Sequence, residues 1–141
     1  MKKIESRIYL DTSAYLSILL GQPKADVLTK AVRDKVLCSS TILLIEAERN
    51  LILLAREKEI TDSEYSSLSQ RLRNDINLFM LRDFSPDLCF TGLFPATKIP
   101  RSLDLIHIRT AKWFQSQGSL EKFITTDDHQ RAAAQEVGLP V

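Results

Sequence analysis

Four acidic side chains stand apart from the others by where they fall: Asp11, Glu46, Asp104 and Asp127. Asp11 closes the short apolar run Arg7-Ile8-Tyr9-Leu10, and Asp127 has the same relation to Phe123-Ile124-Thr125. Asp104 falls in the first turn of a helix that follows Pro100-Arg101-Ser102. Glu46 interrupts the apolar stretch Thr41-Ile42-Leu43-Leu44-Ile45. In open parallel sheets ligands bind beyond the C-terminal ends of the strands, where the following helices begin. Local reasoning sends three of the four acids to that edge. Carboxylates gathered in one cleft repel one another and are driven toward protonation, and a bound cation relieves the repulsion. Hard oxygen donors, with no cysteine among them, suit Mg²⁺ or Mn²⁺ rather than zinc. Those ions in turn suit phosphodiester hydrolysis. Each acid also has a plainer reading. Asp11 is a fitting N-cap, and Asp104 and Asp127 are favourable charges at helix N-termini, worth ~0.3–1 kcal/mol each. Glu46 has Arg49 and Asn50 one turn away as structural partners.

The elements that position these residues alternate in type. Residues 7–10, 36–38 and 122–125 read as short buried strands, rich in β-branched and aromatic residues. Helices are predicted from Ala14 to Leu20, stopped by Gly21, and from Pro23 to about Asp34. A long helix runs from Thr41 to Lys58. Thr61 and Glu64 have capping-box spacing and open another helix, to about Met80. Pro86, Gly92, Pro95 and Pro100 exclude a regular element over residues 84–101. A helix follows from Ser102 to Gly118. A last one, opened by Asp127 or Asp128, ends at Gly138, and Leu139-Pro140-Val141 begins an extended segment. Strands alternating with helices predict an α/β fold, a mainly parallel central sheet flanked by helices. Residues 1–141 read as one domain, with no repeat or linker.

Composition narrows the class. A formal net charge of +1, 26% charged and 44% hydrophobic residues describe an ordinary globular chain, neither disordered nor broadly basic. If four acids form one site, the rest of the chain carries +1 − (−4) = +5, a mildly basic body around an acidic cleft. No signal-peptide pattern follows Met1-Lys2-Lys3, and no stretch approaches the ~18–20 apolar residues of a membrane span. Cys38 and Cys89, without CxxC spacing, predict two reduced, mostly packed thiols in a cytoplasmic protein.

Four segments together resemble a known family. Tyr9-Leu10-Asp11-Thr12-Ser13-Ala14 is similar to the opening motif of PIN-domain ribonucleases, particularly the VapC-like toxins of toxin–antitoxin pairs. Residues Ser39 to Glu46 resemble the second acidic motif, and Arg101 to Ala111 the third. Phe123-Ile124-Thr125-Thr126-Asp127, Ala132-Ala133-Ala134 and Gly138-Leu139-Pro140-Val141 resemble the C-terminal end. The resemblance spans the chain in the family's order. It implies a three-layer PIN-like fold with Asp11, Glu46, Asp104 and Asp127 as a Mg²⁺ or Mn²⁺ site. Thr12, Ser13 and Thr125 would line or brace that site. It further implies RNA as substrate, 5′-phosphate and 3′-hydroxyl products, a homodimer, and inhibition by a cognate VapB-like antitoxin. Asp128 gives this chain a second acid beside Asp127. The Thr-x-Asp spacing favours Asp127 as ligand and leaves Asp128 as a supporting acid or a helix N-terminal charge.

Other residues are weighed beside these. Arg101, Arg109 and Lys112 suit RNA phosphates or a solvated helix face. His107 reads first as a packed, hydrogen-bonded histidine and second as a cleft residue. His129 reads as an exposed first-turn histidine, and Trp113 and Phe114 as core rather than base-stacking platforms. The competing functions are a non-catalytic PIN-like binding module and a structure-specific DNA nuclease. Phosphoaspartate chemistry lacks a second acid two residues after Asp11. No nucleotide-binding glycine motif occurs.

Overall fold

The computed structural model describes residues 5–90, 101–118 and 120–141. The chain runs β1 (Arg7–Leu10), α1 (Thr12–Leu19), α2 (Ala25–Val32), β2 (Val36–Ser40), α3 (Ile42–Arg56), α4 (Asp62–Ile76), β3 (Phe79–Arg82), a 3₁₀ turn (Pro86–Phe90), α5 (Ser102–Gln117), β4 (Leu120–Ile124) and α6 (Asp128–Glu136). The predictions at Gly92, Pro95 and Pro100 lie outside the described residues.

The strands form one sheet in the order β3-β2-β1-β4, with every pairing parallel. Alternation along the strands divides the core between its two faces. Tyr9, Cys38 and Phe123 pack on one side with Ile108, Ala111 and Phe114 of α5 and Ala133 and Ala134 of α6. Ile8, Leu10 and Ile124 face the other side, against Ala14 of α1 and Leu28 of α2. Tyr15, Leu19, Leu43, Leu51 and Leu72 extend that side through α1, α3 and α4. The molecule is therefore a three-layer α/β structure with helices on both faces of a parallel sheet.

Local signals account for most boundaries. Thr61 caps α4 with both arms of a capping box: its hydroxyl accepts the Glu64 amide at 3.1 Å and its amide reaches Glu64 Oε1 at 3.0 Å. Gly21 (φ +62°) and Gly138 (φ +82°) take the left-handed backbone that stops α1 and α6. Thr41 opens α3 without a side-chain bond; Ser40 accepts the Ile42 amide instead, at 3.2 Å.

One boundary corrects the sequence reading. The helix predicted to reach Met80 ends at Ile76, and Phe79–Arg82 is the additional strand β3, paired with β2 from Leu37↔Phe79 to Ser40↔Arg82. Leu72, Ile76, Phe79 and Met80 continue a helical period, so the pattern does not announce the change. Long-range pairing with β2 overrides it. Residues 139–141 form no strand; Pro140 O accepts the Phe123 amide at 2.7 Å, and the Leu139 amide donates to Ala134 O at 3.1 Å. Cys38 is buried, with its thiol pushed up to about 12 by desolvation, whereas Cys89 is exposed rather than packed. No described helix is long and apolar enough to cross a membrane.

Candidate functional site

The chain leaves β1 through α1 toward one face of the sheet and leaves β4 through α6 toward the other. The neighbours β1 and β4 thus flank a topological switch point, where connections diverge and open a crevice at the strand ends. Leu10 pairs with Ile124, and the Asp11 amide donates to Ile124 O at 3.2 Å, so the ends of the two strands stay in step. Asp11 directly follows β1, and Asp127 follows β4 after Thr125 and Thr126.

A cleft of about 240 Å³ opens there, lined by Asp11, Thr12, Ser13, Leu16, Glu46, Asn50, Asp104, His107 and Asp127. All four acids singled out in the sequence meet in it. A larger groove of about 550 Å³ lies beside α2 and β4, lined by apolar side chains with Lys24, Lys122, Arg131, Thr125 and Thr126 and by no Asp or Glu side chain. Size therefore does not mark the candidate site; its donor chemistry does.

Asp11 is only 3% exposed. It is both the N-cap of α1 and a wall of the cleft: Oδ1 accepts the Ala14 amide at 3.0 Å and the Ser13 hydroxyl at 2.7 Å. Burial pushes its carboxyl up, against the opposing pull of bonds from Thr125, Ser13 and the Ala14 amide. Asp104 is also raised, first by burial and then by the negative charges of Asp127, Asp11 and Glu46. The four acids thus share one electrostatic neighbourhood. Glu46 moves the other way. Burial would raise it, but bonds from His107 and Thr12 outweigh that and hold it below the usual range.

Glu46 Oε1 receives the Thr12 hydroxyl at 2.7 Å and His107 Nε2 at 2.8 Å. The partners suggested by helix spacing are not the ones used: Asn50 Nδ2 bonds the Glu46 backbone carbonyl at 2.9 Å. Asp127 caps α6, with Oδ1 accepting the amides of His129 at 2.8 Å and Gln130 at 3.2 Å. Buried Gln130 also donates from Nε2 to the Asp104 carbonyl at 3.0 Å, tying the starts of α5 and α6 together.

The hydroxyls take bracing positions. Ser13 Oγ lies 3.1 Å from Thr125 Oγ1 and accepts the Thr126 amide at 3.0 Å, while Thr125 Oγ1 accepts the Asp127 amide at 3.1 Å. Asp128 stays outside the cleft. Its side chain is 93% exposed and pairs with Arg131 at 2.6 Å, a helix N-terminal charge rather than a wall of the site.

His107 satisfies both readings at once, buried and hydrogen-bonded yet lining the cleft. Its Nδ1 lies 2.7 Å from the Tyr9 hydroxyl. Tyr9 is the participant that sequence reasoning placed only in a strand. Its signal is the two-residue period, which puts it on the same side of β1 as Asp11. Among the bases weighed for RNA, Lys112 Nζ is committed to Val137 O at 2.9 Å and Gln115 Oε1 at 2.8 Å, and Arg109 Nη1 reaches Leu88 O at 3.5 Å. Phe114 is core, and Trp113 packs on it with the Arg82 guanidinium 4.8 Å from its ring centroid.

The donor set fits a hard divalent cation in kind: oxygen ligands, among them a carboxyl raised by burial and then by its acidic neighbours. No group of three or more His, Cys, Asp or Glu side chains among the described residues is arranged to hold a metal ion as it stands. The chain matches no protein-family model and no curated protein.

Proposed function

We propose that this chain is a Mg²⁺- or Mn²⁺-dependent endoribonuclease of the PIN-domain class, acting in the cytoplasm as a VapC-like toxin restrained by a VapB-like antitoxin. One observation carries the reading: Asp11, Glu46, Asp104 and Asp127 line a single cleft at the switch point of a parallel sheet. The order and spacing of the motifs that supply those acids support the family and, through it, RNA, the antitoxin and a homodimer.

In this reading Asp11 is the principal ligand, because a strand end is a rigid support. Asp104 is next, with Glu46 and Asp127 completing the set. A cation held by these carboxylates would supply Lewis acidity toward water and the phosphodiester. The protein's own groups prepare the cleft. The Ser13 hydroxyl and Ala14 amide hold Asp11 Oδ1, and the amides of α6 hold Asp127 Oδ1. Thr12 and His107 together hold Glu46 Oε1. Asp104 is raised by burial and by its acidic neighbours, a repulsion that nearby positive charge would offset.

The test is cleavage of total RNA by the purified chain in Mg²⁺, with Asp11→Asn and Asp104→Asn as controls and the product ends sequenced. Cleavage leaving 5′-phosphates, lost on chelation and in both variants, is expected. A folded Asp11→Asn protein with full activity refutes the assignment.

A further inference from the structure

We propose that His107, backed by Tyr9, is a positioning residue that sets the Glu46 carboxylate for cation binding; this rests on the cation-binding reading of the cleft.

The observation is how the hydrogen bonds are shared out. Glu46 Oε1 takes two donors, the Thr12 hydroxyl at 2.7 Å and His107 Nε2 at 2.8 Å. Both donors converge on Oε1, so the protein anchors the carboxylate through that one oxygen. Glu46 stands on α3 and His107 on α5, helices packed on opposite faces of the sheet. Their contact therefore crosses the C-terminal edge of the sheet and fixes a long side chain that its own helix would leave free. An ionised Glu46 only accepts, so Nε2 carries the hydrogen.

The far side of the ring is held as firmly. Nδ1 lies 2.7 Å from the Tyr9 hydroxyl. With the hydrogen on Nε2, Nδ1 is the accepting nitrogen, and the Tyr9 hydroxyl donates to it. The Tyr9 ring is itself wedged, stacked on Phe123 with centroids 5.3 Å apart and edge-on to His107 at 5.8 Å. Tyr9 O–H to Nδ1, then Nε2–H to Glu46 Oε1, is a continuous chain from the core to the cleft. Partners of this kind, which bond a ligand residue rather than the ion, change metal affinity by ~10–100-fold when removed.

The experiment is Mn²⁺ titration by calorimetry without RNA, on the full chain, with melting temperatures recorded alongside. His107→Ala is expected to weaken Mn²⁺ binding by ~10–100-fold. His107→Gln, which returns an N–H donor near the Nε2 position, is expected to recover most of it. Tyr9→Phe removes one oxygen and leaves the packing, so it serves if His107→Ala does not fold; a loss smaller than that of His107→Ala, at least several-fold, is expected. Unchanged Mn²⁺ affinity in folded His107→Ala or in Tyr9→Phe, or no rescue by His107→Gln, overturns the proposal. Two further outcomes separate it from the nuclease reading. Wild-type protein that binds Mn²⁺ with this variant pattern but cleaves no RNA refutes the nuclease and sustains the positioning role. Wild-type protein that binds no Mn²⁺ refutes both.

Discussion

Asp11 serves two purposes that substitution can separate. Its Oδ1 caps α1, accepting the Ala14 amide and the Ser13 hydroxyl, and its charge belongs to a cleft that disfavours it. Asp11→Ala removes both. Loss of the cap costs ~0.5–2 kcal/mol. At roughly 3–5 °C per kcal/mol for a chain of this size, the melting temperature is expected to fall by several degrees. Asp11→Asn removes only the charge, and asparagine ranks with aspartate as an N-cap. It forfeits an attraction to the α1 N-terminus of ~0.3–1 kcal/mol, but the raised carboxyl means that burial outweighs the interactions favouring the charged form. In chelator, Asp11→Asn is therefore expected to melt at or above wild type, and Asp11→Ala below it. The pH dependence follows from the same direction. A carboxyl raised in the folded state contributes stability below its unfolded pKa, ~3.9, and loses it as pH rises through the folded value. That loss on raising pH is expected in wild type and reduced in Asp11→Asn. Saturating Mn²⁺ reverses the ranking: at 100 times its Kd a cation adds ~2.7 kcal/mol to wild type and little to Asp11→Asn. Thermal melts of the three proteins, with chelator and with Mn²⁺, measure all of this. If Asp11→Asn is destabilised as much as Asp11→Ala in chelator, the charge has a structural role and the separation is wrong; if it gains as much from Mn²⁺ as wild type, the charge is not a cation ligand.

Asp127→Asn is expected to remove most Mg²⁺-dependent cleavage, whereas Asp128→Asn, altering an exposed ion pair, leaves it nearly intact; rates in parallel assays check this, and the opposite order exchanges the two roles. Glu46 is held low, so its contribution is present above ~4.3, its ordinary pKa, and is lost as pH falls through the folded value. Glu46→Gln is therefore expected to flatten the acid limb of the stability curve, read by denaturation at falling pH. Thr61→Ala breaks the α4 capping box at a cost of ~1 kcal/mol, and a lowered melting temperature with unchanged cleavage is expected because Thr61 does not line the cleft. Leu43→Ala, at a fully buried site, is expected to cost ~2–5 kcal/mol, measured by urea unfolding.

Much of the fold was legible because its signals are local. Asp11, Thr61 and Asp127 are capping residues whose function depends on the next three amides, and Gly21 and Gly138 supply backbone angles other residues avoid. β3 was not legible. Phe79–Arg82 continues a helical period, and its identity as a strand rests on pairing with residues 37–40. The four acids were legible as candidates because each stands at an element boundary or breaks an apolar run. Their partners were less so. Helix spacing offered Arg49 and Asn50 to Glu46, and the carboxylate instead bonds Thr12 and His107.

By itself the sequence determined the alternation of strands and helices apart from β3, most of the sites where helices start and stop, and the type of donor a cleft would contain. These follow from side-chain chemistry and from neighbours a few positions away. Only the tertiary structure decided that the donors share one cleft and that Asp128 stays out of it. It also decided that Tyr9 and His107, 98 positions apart, stand in line behind Glu46. Such contacts are made when parallel strands pair in register and helices from both faces meet at the sheet edge. No periodicity within one element encodes that meeting, because the geometry that brings the residues together belongs to the whole core.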